Sequence, residues 1–244
     1  MLTRIATYAS VVFLALSCTS AQQTTTLNYR DYKIEKQTKV DSNLIKLIAP
    51  YGDSVKLVMS KVIGFTTRGL MKRQPEGELG NFMADCLMEM GEKKFNKKID
   101  ISYVNAGGIR SYIPKGEISI GKIFELMPFD NLVVLQEVKG NILLQFLNAV
   151  AEKGPGGLAG IKMKIKDKVA SNILIDGKPL DANKMYTVCT SDYTANGGGE
   201  GEVLHGIKQV NMGYLFRDAL MEYVEQITKQ GKPVDWKTEG RVTY

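Results

Sequence analysis

Four short segments of this chain carry side chains that could do chemistry on a ligand. In Asn105-Ala106-Gly107-Gly108-Ile109-Arg110 an amide and a guanidinium flank two glycines. The glycines let the backbone turn tightly and approach a ligand closely, and the arginine offers a planar fork to a phosphate or carboxylate. A second segment runs from Arg73 to Leu79-Gly80-Asn81. Asn81 there can cap a helix or meet a ligand. The third, Met127-Pro128-Phe129-Asp130-Asn131, and the fourth, Tyr193-Thr194-Ala195-Asn196-Gly197-Gly198, each set an aromatic ring in a loop by composition. Taken alone, such a ring serves equally as a lid over core.

Other chemistries are excluded by what the chain lacks. It has one histidine, His205. A two-metal phosphoesterase holds its ions about 3.5–4 Å apart with several histidines and aspartates, which one histidine cannot supply. His205 reads as an ordinary polar residue beside Gly206. There is no G-x-x-x-x-G-K-[ST] phosphate loop and no G-x-S-x-G nucleophile elbow. The string Gly197-Gly198-Gly199-Glu200-Gly201 follows a strand but opens no clear helix, so it is not a dinucleotide fingerprint.

The elements that must position these residues follow from periodicity. Asp41 or Ser42 caps a helix carrying Leu44, Ile48, Tyr51, Val55 and Val58, with Pro50 expected to bend or break it. A helix over residues 80–95 turns Phe82, Met83, Cys86, Leu87 and Met90 to one face and Asp85, Glu89, Glu92 and Lys93 to the other. Residues 99–104 form a buried strand leading into the Asn105 segment. A short helix at 122–126 precedes Pro128-Phe129. A strand at 132–138 and a helix at 141–152 follow it. Residues 161–166 alternate apolar residues with three lysines, a half-exposed strand. Residues 172–175 and the Asp176-Gly177 turn open a hairpin. A strand at 185–191 ends at the Tyr193 loop, and a helix spans 213–230. Strands and helices mix without regular alternation, which predicts an α/β (α+β) protein with mixed sheets and flanking helices.

The N-terminus reads as an export signal. Arg4 precedes a short apolar run too short to span a bilayer, followed by small and polar residues. The string Leu14-Ala15-Leu16-Ser17-Cys18 resembles a bacterial lipoprotein signal, with residues 1–17 removed and Cys18 lipidated. Cleavage after Ala21 is the alternative. Residues 18–29 read as a tether and 30–244 as one domain, about 220 residues and enough for a sizeable core. The net charge of +6 is spread as mixed Lys and Glu, without the dense basic run that a nucleic-acid polymer would need. An exported protein could join Cys86 and Cys189, but they fall on a helix stripe and in a strand, so two buried thiols are the expectation and a disulfide the alternative.

The four segments, in this order, resemble the C-terminal, substrate-binding domain of the 5'-nucleotidase family. The resemblance covers residues 30–244 and implies that domain's layered architecture. It implies that Phe129 and Tyr193 clamp a nucleotide base between their faces, with offset stacking worth about 1–3 kcal/mol per base. It assigns Asn131 to the base edge and Gly160 to a close backbone approach. Arg73, Asn105 and Arg110 would orient the sugar–phosphate end. The family's Gly-Gly-Asp-Gly, whose aspartate accepts from ribose hydroxyls, is replaced here by a longer string in which Glu200 is expected to bind the substrate, its longer carboxylate reaching the two hydroxyls or moving the sugar or selecting a different one.

The resemblance implies no catalytic residue or cofactor in this chain. The metal-binding phosphoesterase domain that precedes this one in the family has no counterpart in these residues. The chain is therefore expected to be the nucleotide- or nucleoside-recognition subunit of a split 5'-nucleotidase-type hydrolase. A separate metallophosphoesterase would supply a divalent metal pair. It is expected to be exported and lipid-anchored at a bacterial membrane, facing the periplasm or the exterior. The alternative is an exported nucleoside-binding lipoprotein without a hydrolase role.

Overall fold

The structure, a computed structural model, describes residues 29–33, 35 and 41–244. The expected signal segment and Cys18 lie outside the described residues. The chain divides into a first unit, Met1–Leu47, and a second, Ile48–Tyr244. Helix α1 (Ser42–Met59) begins in the first. Asp41 caps it: its Oδ1 accepts from the backbone N–H groups of Asn43 and Leu44 at 2.8 and 3.2 Å. Pro50 does not break the helix, which continues to Met59. The missing donor frees only the carbonyl four residues back, on exposed Lys46, where water can bond it. The apolar stripe of Leu44, Ile48, Tyr51, Val55 and Val58 is exposed along its length.

The second unit is layered around two cores. After β1 (Val62–Thr66) comes α2 (Glu78–Phe95), then β2 (Ile101–Val104), β3 (Gly116–Ser119), α3 (Ile120–Leu126), β4 (Leu132–Lys139) and α4 (Gly140–Lys153). Next are β5 (Gly157–Ala159), β6 (Ile161–Lys166), β7 (Val169–Ile175), β8 (Lys178–Pro179) and β9 (Met185–Ser191). The short helix α5 (Asp192–Ala195), β10 (Gln209–Leu215), α6 (Phe216–Lys229) and β11 (Val242–Thr243) complete it. The central sheet has the order β10-β4-β9-β2-β5. Its β2 and β9 are parallel and its other pairs antiparallel. A second sheet has the order β11-β6-β7-β8, and β1 pairs β3 separately. This is the mixed α/β arrangement that the irregular element order predicts.

Both faces of the central sheet are covered over β2, β5, β9 and the first half of β4, so these strands bury consecutive side chains, while the edge strand β10 is largely exposed. On one face Val104, Val133, Leu135 and Cys189 pack with Phe82, Leu87, Leu220 and Val224 of α2 and α6. On the other, Ile101, Tyr103, Val138 and Val188 pack with Phe146 and Leu147 of α4 and with Ile161, Met163 and Ile165 of the second sheet. The period-two alternation of a strand divides these residues between the two cores. Each fully buried aliphatic side chain contributes about 1.5–3 kcal/mol. Cys86 and Cys189 are free and buried in the first core. Arg241 makes a bidentate pair with Asp85, at 2.6 and 2.9 Å, and so ties the β11 segment to α2.

Candidate functional site

The topology brings three loops to one edge of the central sheet. β2 and β9 run parallel, with Ser102 opposite Cys189, so both chains leave the sheet at the same edge. β4 runs antiparallel to β9, with Val133 opposite Ser191, and therefore enters at that edge. The residues after β2, before β4 and after β9 are the Asn105, Phe129 and Tyr193 segments.

Each loop is fixed by hydrogen bonds from elsewhere in the chain. Asn105 leads into a 3-10 turn, Ala106–Gly108. Lys72 Nζ donates to the carbonyls of Ala106 and Ile109, at 3.2 and 3.1 Å. The Arg110 N–H donates to the Leu126 carbonyl at 3.0 Å. Arg217 of α6, only 10% exposed in its side chain, donates to the Phe129 carbonyl at 3.1 Å and to Asp130 Oδ1 at 2.6 Å. Its guanidinium lies 4.3 Å from the centre of the Phe124 ring, a cation–π contact that stiffens the anchor. Asp192 Oδ1 accepts from the N–H of Leu132 at 3.0 Å and of Tyr193 at 2.9 Å, joining the two aromatic-bearing segments. The Tyr193 ring lies against Gly198, where an added Cβ would fall 2.5–2.6 Å from ring atoms.

Between these loops is a cavity of about 280 Å³ lined by Asn105, Gly107, Gly108, Arg110, Phe129, Asn131 and Tyr193. The two rings stand exposed on it, Phe129 at 38% and Tyr193 at 49%. Arg110 reaches over the Phe129 ring, 5.9 Å from its centre. The lining holds one cationic side chain, two amides and no carboxylate. Such a surface suits a flat, partly apolar ligand with an anionic end.

Three of the residues expected from the resemblance to bind the ligand, Arg73, Gly160 and Glu200, do not line this cavity. Arg73 is 63% exposed and sits 3.5 Å from Glu78. Gly160 borders a different hollow, with Asp85, Met88, Lys162 and Arg241 among its walls. Its close backbone approach is to the Asp100 carbonyl, 2.1 Å from where a Cβ would lie, and its φ of +77° also favours glycine. Glu200 is buried, and its Oε2 accepts from the Tyr103 hydroxyl at 2.7 Å. Burial first, then the charge and hydrogen bond of Glu200, push the Tyr103 phenol well above its usual range. Asn81 neither caps its helix nor meets the cavity; its amide donates to Glu76 and to the Lys237 carbonyl at 2.7 and 2.9 Å. His205 is exposed at the end of a 3-10 turn. Sequence reasoning missed Arg217, Lys72 and Asp192. Only Asp192 leaves a signal, an acid in the first turn of a helix after a capping serine.

Among the described residues, no three His, Cys, Asp or Glu side chains gather to hold a metal ion. No helix among them is long and apolar enough to cross a membrane.

The comparisons with known proteins agree on one family. Residues 58–206 match the family "5'-nucleotidase, C-terminal domain". The 5'-nucleotidase of Vibrio vulnificus is 28% identical over 86% of this chain and 39% of its own length. Protein UshA of Escherichia coli is 25% identical over 84% of this chain and 38% of its own. The chain thus spans about two fifths of the length of these curated relatives. Among solved structures, the 5'-nucleotidase precursor from Thermus thermophilus superposes with a TM-score of 0.70, at 25% identity over 81% of this chain and 42% of that one. With the match spanning most of the second unit, including all three loops of the cavity, the chain belongs to the 5'-nucleotidase C-terminal domain family.

Proposed function

We propose that the cavity binds a nucleotide or nucleoside, with the base against Phe129 and Tyr193 and the phosphate toward Arg110. The observation that carries this reading is the convergence of two exposed rings and one arginine on a single cavity without a carboxylate. Aromatic faces hold any base by stacking, and a guanidinium pairs with phosphate. Asn105 and Asn131 supply the hydrogen bonds that fix orientation. The chain is the recognition part of a 5'-nucleotidase-type hydrolase, and a separate metallophosphoesterase contributes the divalent metal pair. The family membership and the absence of a metal-holding cluster among the described residues support this division. The protein is exported and held at a bacterial membrane through Cys18.

Calorimetric titration with adenosine and adenosine monophosphate tests the reading. Saturable binding of both, with the monophosphate tighter, is expected. Phosphate release should require added metallophosphoesterase. If neither compound binds, the reading fails. If both bind but no metallophosphoesterase restores hydrolysis, the chain is a nucleoside-binding protein only.

A further inference from the structure

We propose that this site does not discriminate ribose from deoxyribose, because the one carboxylate of the glycine loop is committed to the protein interior. The inference rests on the nucleoside reading above. A vicinal diol is held best by a carboxylate, whose two oxygens accept both hydroxyl protons. Glu200 is the acidic residue in the loop of residues 197–201, which packs against the Tyr193 ring. It does not line the cavity and is 8% exposed. Its Oε2 accepts a hydrogen bond from the hydroxyl of Tyr103, a fully buried residue packed edge-on to Phe146 at 5.0 Å.

The backbone around Glu200 fixes this orientation. Gly201 lies so close to the Thr194 carbonyl that an added Cβ would fall 1.9 Å from its oxygen. Lys153 Nζ holds the Gly199 carbonyl at 2.8 Å. Turning Glu200 outward would leave the buried Tyr103 hydroxyl without the acceptor it has here, which is costly in a water-excluded interior. The side-chain acceptors left on the lining are the single oxygens of Asn105, Asn131 and Tyr193, none of which offers the paired oxygens of a carboxylate, while Arg110 only donates. A site built around a hydroxyl rejects analogues that lack it, because a buried polar group loses its partner. Here the buried acid keeps its partner, Tyr103, whichever sugar is bound.

The test is a calorimetric titration of the protein with adenosine, 2'-deoxyadenosine and 3'-deoxyadenosine. Dissociation constants within about threefold of one another are expected. A preference of tenfold or more for adenosine would overturn the inference. Absence of binding by all three would overturn the nucleoside reading itself, and this inference with it, so the two failures are distinct. A second measurement uses Glu200→Gln, which keeps an oxygen for Tyr103. Its affinity for adenosine should stay within about twofold of the parent's. A tenfold loss at unchanged Tm would show that the carboxylate reaches the sugar.

Discussion

Arg217 and Phe129 are joined by a 3.1 Å hydrogen bond from guanidinium to backbone carbonyl. A helix near the end of the chain thereby sets the height of a ring that stands exposed 88 positions earlier. The same arginine grips the next residue, Asp130, at 2.6 Å. Arg217 is a positioning residue. Arg217→Lys should weaken adenosine binding about tenfold, since one ammonium cannot serve both acceptors in the fork's geometry. The ratio of adenosine to monophosphate affinity should not change, because the phosphate end is untouched. A lowered Tm with unaltered adenosine affinity would assign Arg217 to stability alone.

Arg110→Ala should behave differently. It removes the one cation on the cavity lining. Binding of the monophosphate should fall by about 1.5–3 kcal/mol, the range for hydrogen bonds to charged groups, while adenosine loses much less. Equal losses for both compounds would place the phosphate elsewhere.

Gly198→Ala should act on binding through Tyr193 without touching the ligand. The new methyl would sit 2.5–2.6 Å from the ring atoms, so the ring must move off the loop. The cost to adenosine binding should approach that of Tyr193→Ala, about 1–3 kcal/mol. The Tm should shift little, since the ring is half exposed. Normal binding by both variants would remove Tyr193 from the site.

Stability should fall at alkaline pH. Burial, reinforced by nearby carboxylates, raises the phenols of Tyr103, Tyr214 and Tyr223. These groups keep their protons in the fold. In the unfolded chain they release them near pH 10. Their contribution is complete below about pH 10 and is lost as pH rises through the folded values. Urea unfolding between pH 8 and 11.5 should show the decline, and Tyr103→Phe should make it shallower. A flat profile in the parent protein would contradict this.

Much of this fold is legible in the sequence where one strand's own pattern decides it. β9 occupies residues 185–191 as its composition predicts, and the lysines of β6 lie on its exposed face. Where distant partners decide, the pattern is silent. β10 includes Asn211 and Gly213, the latter at φ +65°, and owes its pairing to β4 across a bulge. The β6–β7 hairpin turns on Asp167 and Lys168, both at positive φ with no glycine to mark them. In the site, the strand ends carrying Asn105, Phe129 and Tyr193 are readable because polar and aromatic residues stop apolar runs there. The inward turn of Glu200 is not, since Tyr103 lies 97 positions away. Gly160, assigned to a close approach by resemblance alone, lies against the Asp100 carbonyl, a partner that no local pattern announces.

The cavity is walled by segments that follow β2, precede β4 and follow β9, so no one stretch of sequence contains it. It forms only when those three strands are paired, and an unfolded or partly folded chain has no such binding place. Any ligand held there must therefore shift the unfolding equilibrium by mass action, by about 2.7 kcal/mol at a hundred times its dissociation constant. Thermal protection becomes a way to rank candidate ligands without knowing the reaction they undergo. The same coupling makes a nucleoside a reporter of correct strand pairing during refolding.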